Sequence, residues 1–118
     1  MHTKNEEIAL KWLEAFNKHD IEKLIALYSD DAVHYSPKLK ILQPETMGFI
    51  KGKSHLKQWW VDAFERLPQL HYQLIILTAN DKAVCIEYVR KVPGEEDMLV
   101  AEILDIEELI IASRVYHG

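Results

Sequence analysis

Pro68 divides this chain into two stretches with different hydrophobic periods. Before it, apolar residues recur at helical spacing; after it they alternate with polar ones, in runs separated by very short joints. Residues 70–79, 82–92, 98–106 and 109–117 are therefore expected to form four strands. Asn80-Asp81, Pro93-Gly94-Glu95-Glu96 and Glu107-Glu108 are the turns between them. Joints this short allow only antiparallel neighbours, because a parallel return needs a crossover of about a dozen residues or more. Strands this long in a domain of 118 residues must twist and curl.

The stretch before Pro68 supplies what covers that sheet. Thr3 and Glu6 have capping-box spacing, and Ile8, Trp12, Ala15 and Phe16 follow on one helical face. The helix gives way at Asn17-Lys18-His19. Asp20 is a natural N-cap for a second, shorter helix through Ile21, Leu24, Ile25 and Tyr28, which Ser29-Asp30-Asp31 stops. Residues 32–36 read as a short edge or entry strand closed by Pro37, and residues 37–48 as a loop. Phe49 and Ile50 add a short strand before Gly52. A third helix from about Ser54 has Leu56, Trp59, Trp60, Ala63, Phe64 and Leu67 on its buried side, and Pro68 ends it. The expected fold is α+β over residues 1–118 as one domain. Three helices pack on the concave side of a strongly curved antiparallel sheet, a cone-shaped α+β barrel with a mostly apolar cavity between the layers.

The strand over residues 98–106 points to the site. Val100, Glu102, Leu104 and Ile106 share one face, and Leu99, Ala101, Ile103 and Asp105 the other. Glu102 thus stands mid-strand among apolar neighbours, where a carboxylate is costly unless paired or protonated. It either faces the cavity as a functional acid, or faces solvent or a second subunit, or pairs with Arg90 or Arg114 across the sheet. His34 alternates with Tyr35, so one of the two must face inward. Trp12, Trp59 and Trp60 are core residues or pocket walls; Trp59 and Trp60 point about 100° apart, so one is expected to face the cavity. His117 shares its side of the last strand with Ser113 and Val115.

Several function classes are excluded. The six histidines show no pair at helical ligand spacing, no HExxH and no cysteine partner, so neither a metal nor another cofactor is expected. A formal charge of −5 without a basic stripe argues against nucleic acid. No leader pattern and no membrane-spanning apolar run is read, and the single cysteine, Cys85, suits a reducing compartment as a buried strand residue. The expectation is a cytoplasmic protein.

Residues 20–33, Asp-Ile-Glu-Lys-Leu-Ile-Ala-Leu-Tyr-Ser-Asp-Asp-Ala-Val, resemble the opening segment of the SnoaL-like proteins in the nuclear transport factor 2-like superfamily. Gly52 before a helix with Leu56, Trp59 and Trp60 is similar to a second segment of that family, and residues 101–116 to its closing hairpin. The resemblance implies that Glu102 falls where polyketide cyclases and ketosteroid isomerase place an acid. There the acid moves a proton or, protonated, donates to a developing enolate. It also implies that Ser36 stands where ketosteroid isomerase has its general-base Asp, a role serine cannot fill. Trp12 stands where that enzyme has its oxyanion-binding Tyr. The usual Asp-Gly of the final turn is replaced by Glu107-Glu108.

Two functions follow as expectations. One is a pocket that binds a small apolar molecule, lined by Trp12, Trp59, Trp60, Ser36, Val100, Leu104, Ser113 and His117. The other is an isomerase- or cyclase-type enzyme moving a proton next to a carbonyl, with Glu102 as acid/base and His34 beside it. A homodimer is expected through the outer sheet face, which carries Leu99, Ala101, Ile103, Ile110 and Ala112.

Overall fold

The computed structural model describes residues 3–118, apart from the side chain of Thr3, so the capping-box expectation for Thr3 lies outside the described residues. Helix α1 (Thr3–Asn17) buries Trp12, Ala15 and Phe16 as expected, with Ala9 fully buried where Ile8 is only partly so. His19, with φ 53°, turns the chain out of the helix. The side chain of Asn17 then fastens this end to the sheet: its amide donates to the Tyr72 carbonyl and its oxygen accepts from the Tyr72 N–H, both at 2.8 Å. Helix α2 (Ile21–Ile25) is capped by Asp20, whose carboxylate accepts the Lys23 N–H at 3.1 Å.

Three expectations fail over the next stretch. Ser29-Asp30-Asp31 is strand rather than a helix stop: β1 runs Tyr28–Tyr35, with Tyr28, Ala32 and His34 inward. It is also not an edge. β1 lies between β2 (Phe49–Lys51) and the last strand, β6 (Leu109–His117), and Pro37 falls just past its end, where no ladder hydrogen bond is lost. Residues 37–48 are not a plain loop. Pro37 starts a short helix, α3 (Pro37–Leu42), as its fixed φ favours at a first helical position, and a 3₁₀ turn follows at Pro44–Thr46.

Helix α4 (Lys53–Arg66) buries Leu56, Trp60 and Phe64. The meander β3 (His71–Ala79), β4 (Ala83–Lys91), β5 (Met98–Glu107) and β6 (Leu109–His117) falls within a residue or so of expectation. The fold is α+β, with one helix more than expected and a curved sheet that stays open, in the order β2-β1-β6-β5-β4-β3. Its pairings are antiparallel except β1 with β6, which is parallel. That exception was not foreseen, because β1 returns to β6 only after the rest of the chain has been laid down.

The core lies between the helices and the inner sheet face. Among the described residues every fully buried side-chain nitrogen or oxygen has a hydrogen-bond partner. Ile110 corrects the expected outer face. A register shift pairs Asp105 with Ala112 but Ile106 with Ile110, so Ile111 is the extra residue and Ile110 points into the core. Cys85 is half-buried, because it faces the outer side of β4 opposite Ile103.

The last turn does differ from an Asp-Gly turn. A single residue, Glu108, joins β5 to β6 in the left-handed region at φ 64°. A side chain there costs about 1 kcal/mol that glycine does not. Glu108→Gly is expected to raise the thermal midpoint by a few degrees; calorimetry of the two proteins checks this.

Candidate functional site

A cavity of about 190 Å³ opens between α4, the end of α3 and the inner face of β3, β4, β5 and β6. Phe16, Trp59, Trp60, Tyr72, Val100 and Val115 are among its walls, and His34, Ser36, Tyr88 and Glu102 supply its buried polar surface. Lys38, Arg66, Glu95 and His117 line it from partly or fully exposed positions, with the buried Arg90 held to Glu95 beside them. A shallower groove of about 750 Å³ runs outside α3 past Phe49, His55 and Trp59, and no buried ionisable residue lines it.

Glu102 is 3% exposed and faces the cavity. Neither arginine considered for it is its partner. Arg90 donates to Glu95 at 2.9 Å, and Arg114, on the outer face, donates to Asp105 at 2.7 Å. The hydrogen bond found for Glu102 comes from the Tyr88 hydroxyl, 2.9 Å from Oε1. Register explains the contact: Ile86 sits opposite Glu102, and Tyr88 is two residues on, on the same inward face. Burial without a cation pushes the carboxyl up to about 8, opposed only by the Tyr88 hydrogen bond. The acid is therefore largely protonated at neutral pH. Burial, and then the charge Glu102 would carry, holds the Tyr28, Tyr72 and Tyr88 hydroxyls above their ordinary value, so these remain neutral donors.

His34 is the member of the His34-Tyr35 pair that faces inward, 2% exposed. Parallel pairing sets His34 beside Ser113, and Nδ1 lies 2.6 Å from the Ser113 hydroxyl. The ring meets Trp60 edge-on, with centroids 5.6 Å apart. Burial pulls the imidazole down to about 4, so it is neutral at physiological pH.

The structure gathers His34, Ser36, Trp59, Trp60, Val100, Glu102 and His117 around the cavity. Both tryptophans reach it, where one was expected; Trp59 also borders the outer groove. Three named residues stand back. Leu104 is fully buried and outside the lining. Ser113 lies behind His34. Trp12 is fully buried beneath the wall, and its indole N–H donates to the Tyr28 hydroxyl at 2.9 Å, so it has no donor left for a ligand. Tyr88, Tyr72, Lys38, Arg66 and Arg90 were not read as site residues. Alternation on β4 carried the signal for Tyr88 and Arg90, which share the inward face with Val84 and Ile86. Among the described residues no group of three or more His, Cys, Asp or Glu side chains could hold a metal ion, and no helix is long and apolar enough to cross a membrane.

Residues 9–113 match the SnoaL-like domain, and the chain belongs to that family. Solved structures with the same fold include a SnoaL-like protein of unknown function from Burkholderia thailandensis. It is 22% identical, with 100% of this chain and 97% of that one covered and a TM-score of 0.89. A candidate ketosteroid isomerase from Kribbella flavida is 15% identical over 99% of this chain and 79% of that one, with a TM-score of 0.81. A protein from Catenulispora acidiphila with a ketosteroid isomerase-like fold, in complex with trimethylamine, is 18% identical over 95% and 85%, with a TM-score of 0.75. No protein with a curated description matches. At these identities the likenesses show the fold alone.

The folded carboxyl of Glu102 lies above the unfolded value of about 4.3. Below that value both states hold the proton and the group costs nothing. As pH rises towards 8 the unfolded chain releases a proton that the folded chain keeps, and stability falls. Glu102→Gln removes this titration while keeping an acceptor for Tyr88. Its thermal midpoint, relative to the parent, is expected to rise by several degrees between pH 5 and pH 7.5. A midpoint that falls relative to the parent would mean a carboxylate held ionised.

Proposed function

We propose that this protein binds a small, largely apolar molecule bearing a carbonyl or similar acceptor, held by the protonated Glu102 carboxyl. The observation that carries this reading is a buried acid facing a cavity with Tyr88 as its hydrogen-bonding neighbour. Tyr88 donates to Oε1, which leaves the acid's own proton to be directed from Oε2 at a ligand oxygen. The cavity of about 190 Å³ is small beside the roughly 300–1,000 Å³ of most ligand pockets, so the ligand is compact. Trp59 and Trp60 suit a flat apolar body. The trimethylamine complex is of a relative with the same fold and a ligand of comparable smallness.

A second reading, proton transfer next to the carbonyl, is favoured by His34. A protonated acid and a neutral imidazole line one cavity, with values separated in opposite directions by burial. Such a pair could donate to a carbonyl oxygen and accept a proton from the adjacent carbon. Ser36 is not a base, and Trp12 is committed to Tyr28, so this assignment does not use the isomerase arrangement.

Tryptophan fluorescence titration with a series of small cyclic and aryl ketones tests the binding reading. Affinity is expected to hold steady below pH 7, to fall above about 8 as Glu102 ionises, and to drop about tenfold in Glu102→Ala. Absence of binding across the series overturns it. For the second reading, proton-deuterium exchange beside the ketone carbonyl in heavy water, followed by nuclear magnetic resonance, should exceed the buffer rate and vanish in Glu102→Gln. Exchange at the buffer rate would leave a binding protein.

We also propose that the chain pairs through the outer sheet face. Leu99 is 59% and Ile76 50% exposed there, with Tyr116 beside them, more apolar surface than a lone small domain usually leaves wet. Sedimentation at micromolar concentration is expected to give a dimer, and a monomer would end this proposal.

A further inference from the structure

The cavity is polarised along its depth. Five charged side chains line it: Lys38, Arg66, Arg90, Glu95 and Glu102. Glu102 is neutral when protonated, so the outer end carries three cations against one anion, in a chain whose formal charge is −5. Two of the cations are engaged. Arg90, nearly buried on β4, is bonded to Glu95 of the β4–β5 turn, and Arg66, at the end of α4, is bonded to Asp62 at 2.8 Å. Lys38 on α3 has no ion pair or hydrogen bond among the described residues, and it is half-buried against the other two. Its ammonium is held below its ordinary value by burial first and then by Arg90, with Glu95 opposing the shift and Arg66 adding a smaller push; His117 is lowered by burial, Lys38 and Arg90. A half-buried cation facing like charges is a net cost to the fold, and an anion in the cavity mouth relieves it.

We infer that the ligand of this cavity is amphipathic, a compact apolar body ending in a carboxylate that Lys38 binds at the mouth with Arg90 and Arg66 around it. This rests on the reading of the cavity as a small-molecule site and assigns the class of its ligand. One unpaired cation matches one negative charge. The apolar body lies along Trp59, Trp60 and Val100, and the end remote from the carboxylate reaches Glu102. The anion stays at the outer end, because at the inner end it would meet a buried acid and a neutral imidazole without a counter-charge.

The test uses paired probes: short aryl and alkyl carboxylates, each beside the primary amide of the same skeleton, titrated by tryptophan fluorescence at low and at 0.5 M salt. The acids are expected to bind about tenfold more tightly than their amides at low salt, with the gap narrowing at high salt. Lys38→Met should remove most of the gap by weakening the acids far more than the amides, and Lys38→Arg should keep it. Lys38 lies on a short surface helix, and an unchanged thermal midpoint of each variant reports an intact fold. Amides that bind as well as acids, or a gap that survives Lys38→Met, overturn the inference and leave the pocket standing. Failure of every acid and every amide to bind overturns the pocket itself.

Discussion

The parallel ladder between β1 and β6 joins the two halves of the chain. The meander alone is four strands with one face bare, and the segments before Pro68 have little to hold them to it except α1. When β1 docks beside β6, with Leu27 accepting from Ile110 at 2.8 Å and His34 set beside Ser113 79 residues away, α4 is brought over the sheet through β2. The cavity is what remains between α4 and the strands. The loop closure is long, but its entropy grows only slowly with length. The apolar surface joined at Tyr28, Ala32, Ile50, Trp60 and Ile110 is large by comparison. The same ladder delivers His34 to the inside and supplies the hydroxyl that fixes its ring.

Around that frame the aromatic residues form a continuous layer. Trp12 lies near both Phe16 and Tyr72, Phe16 stacks on Tyr72 at 4.0 Å, and Tyr72 stacks on Tyr88 at 4.0 Å. The layer ends at the hydroxyl that holds Glu102. The position of the acid is thus fixed by packing that begins on α1. A change at Phe16 or Tyr72 would reach Glu102 without touching it.

What could be read from the residues follows from how local the cause is. Alternation within one strand is local, so the meander and the shared face of Val100, Glu102 and Leu104 were legible, while whether Glu102 was buried or ion-paired was not. So were the helical face of Trp12 and the cap at Asp20. The β1–β6 ladder depends on residues far apart, and nothing near Ser29-Asp30-Asp31 announces that a strand begins at Tyr28. Pro37 ended the reading of β1 correctly but hid α3, because a proline that breaks one element also opens a helix well. With α3 taken as a loop, Lys38 had no place in the site. Ile110 was assigned to the wrong face because alternation carries no sign of a bulge. Trp12 was a reasonable pocket residue until its partner was known, since an indole N–H is free or committed only in three dimensions.

The deepest consequence of the cavity is an inversion of proton affinity. In water a carboxyl near 4.5 gives its proton to an imidazole near 6.5; here the acid stands at about 8 and the imidazole at about 4. The folded pair is an acid with its proton and a base without one, both uncharged, where the unfolded pair would be two ions between those reference values. Between about pH 4.5 and 6.5 each state holds one proton, on Glu102 when folded and on His34 when unfolded. The pair then adds almost nothing to the slope of stability with pH, although it costs stability throughout. Below that window the protonation of unfolded His34 weakens the fold, and above it the ionisation of unfolded Glu102 does so. The fold tolerates this cost because both groups are covered by the walls that make the cavity. Either group left in water would revert to its ordinary value, and the cavity would lose the donor and the acceptor that set it apart from apolar space.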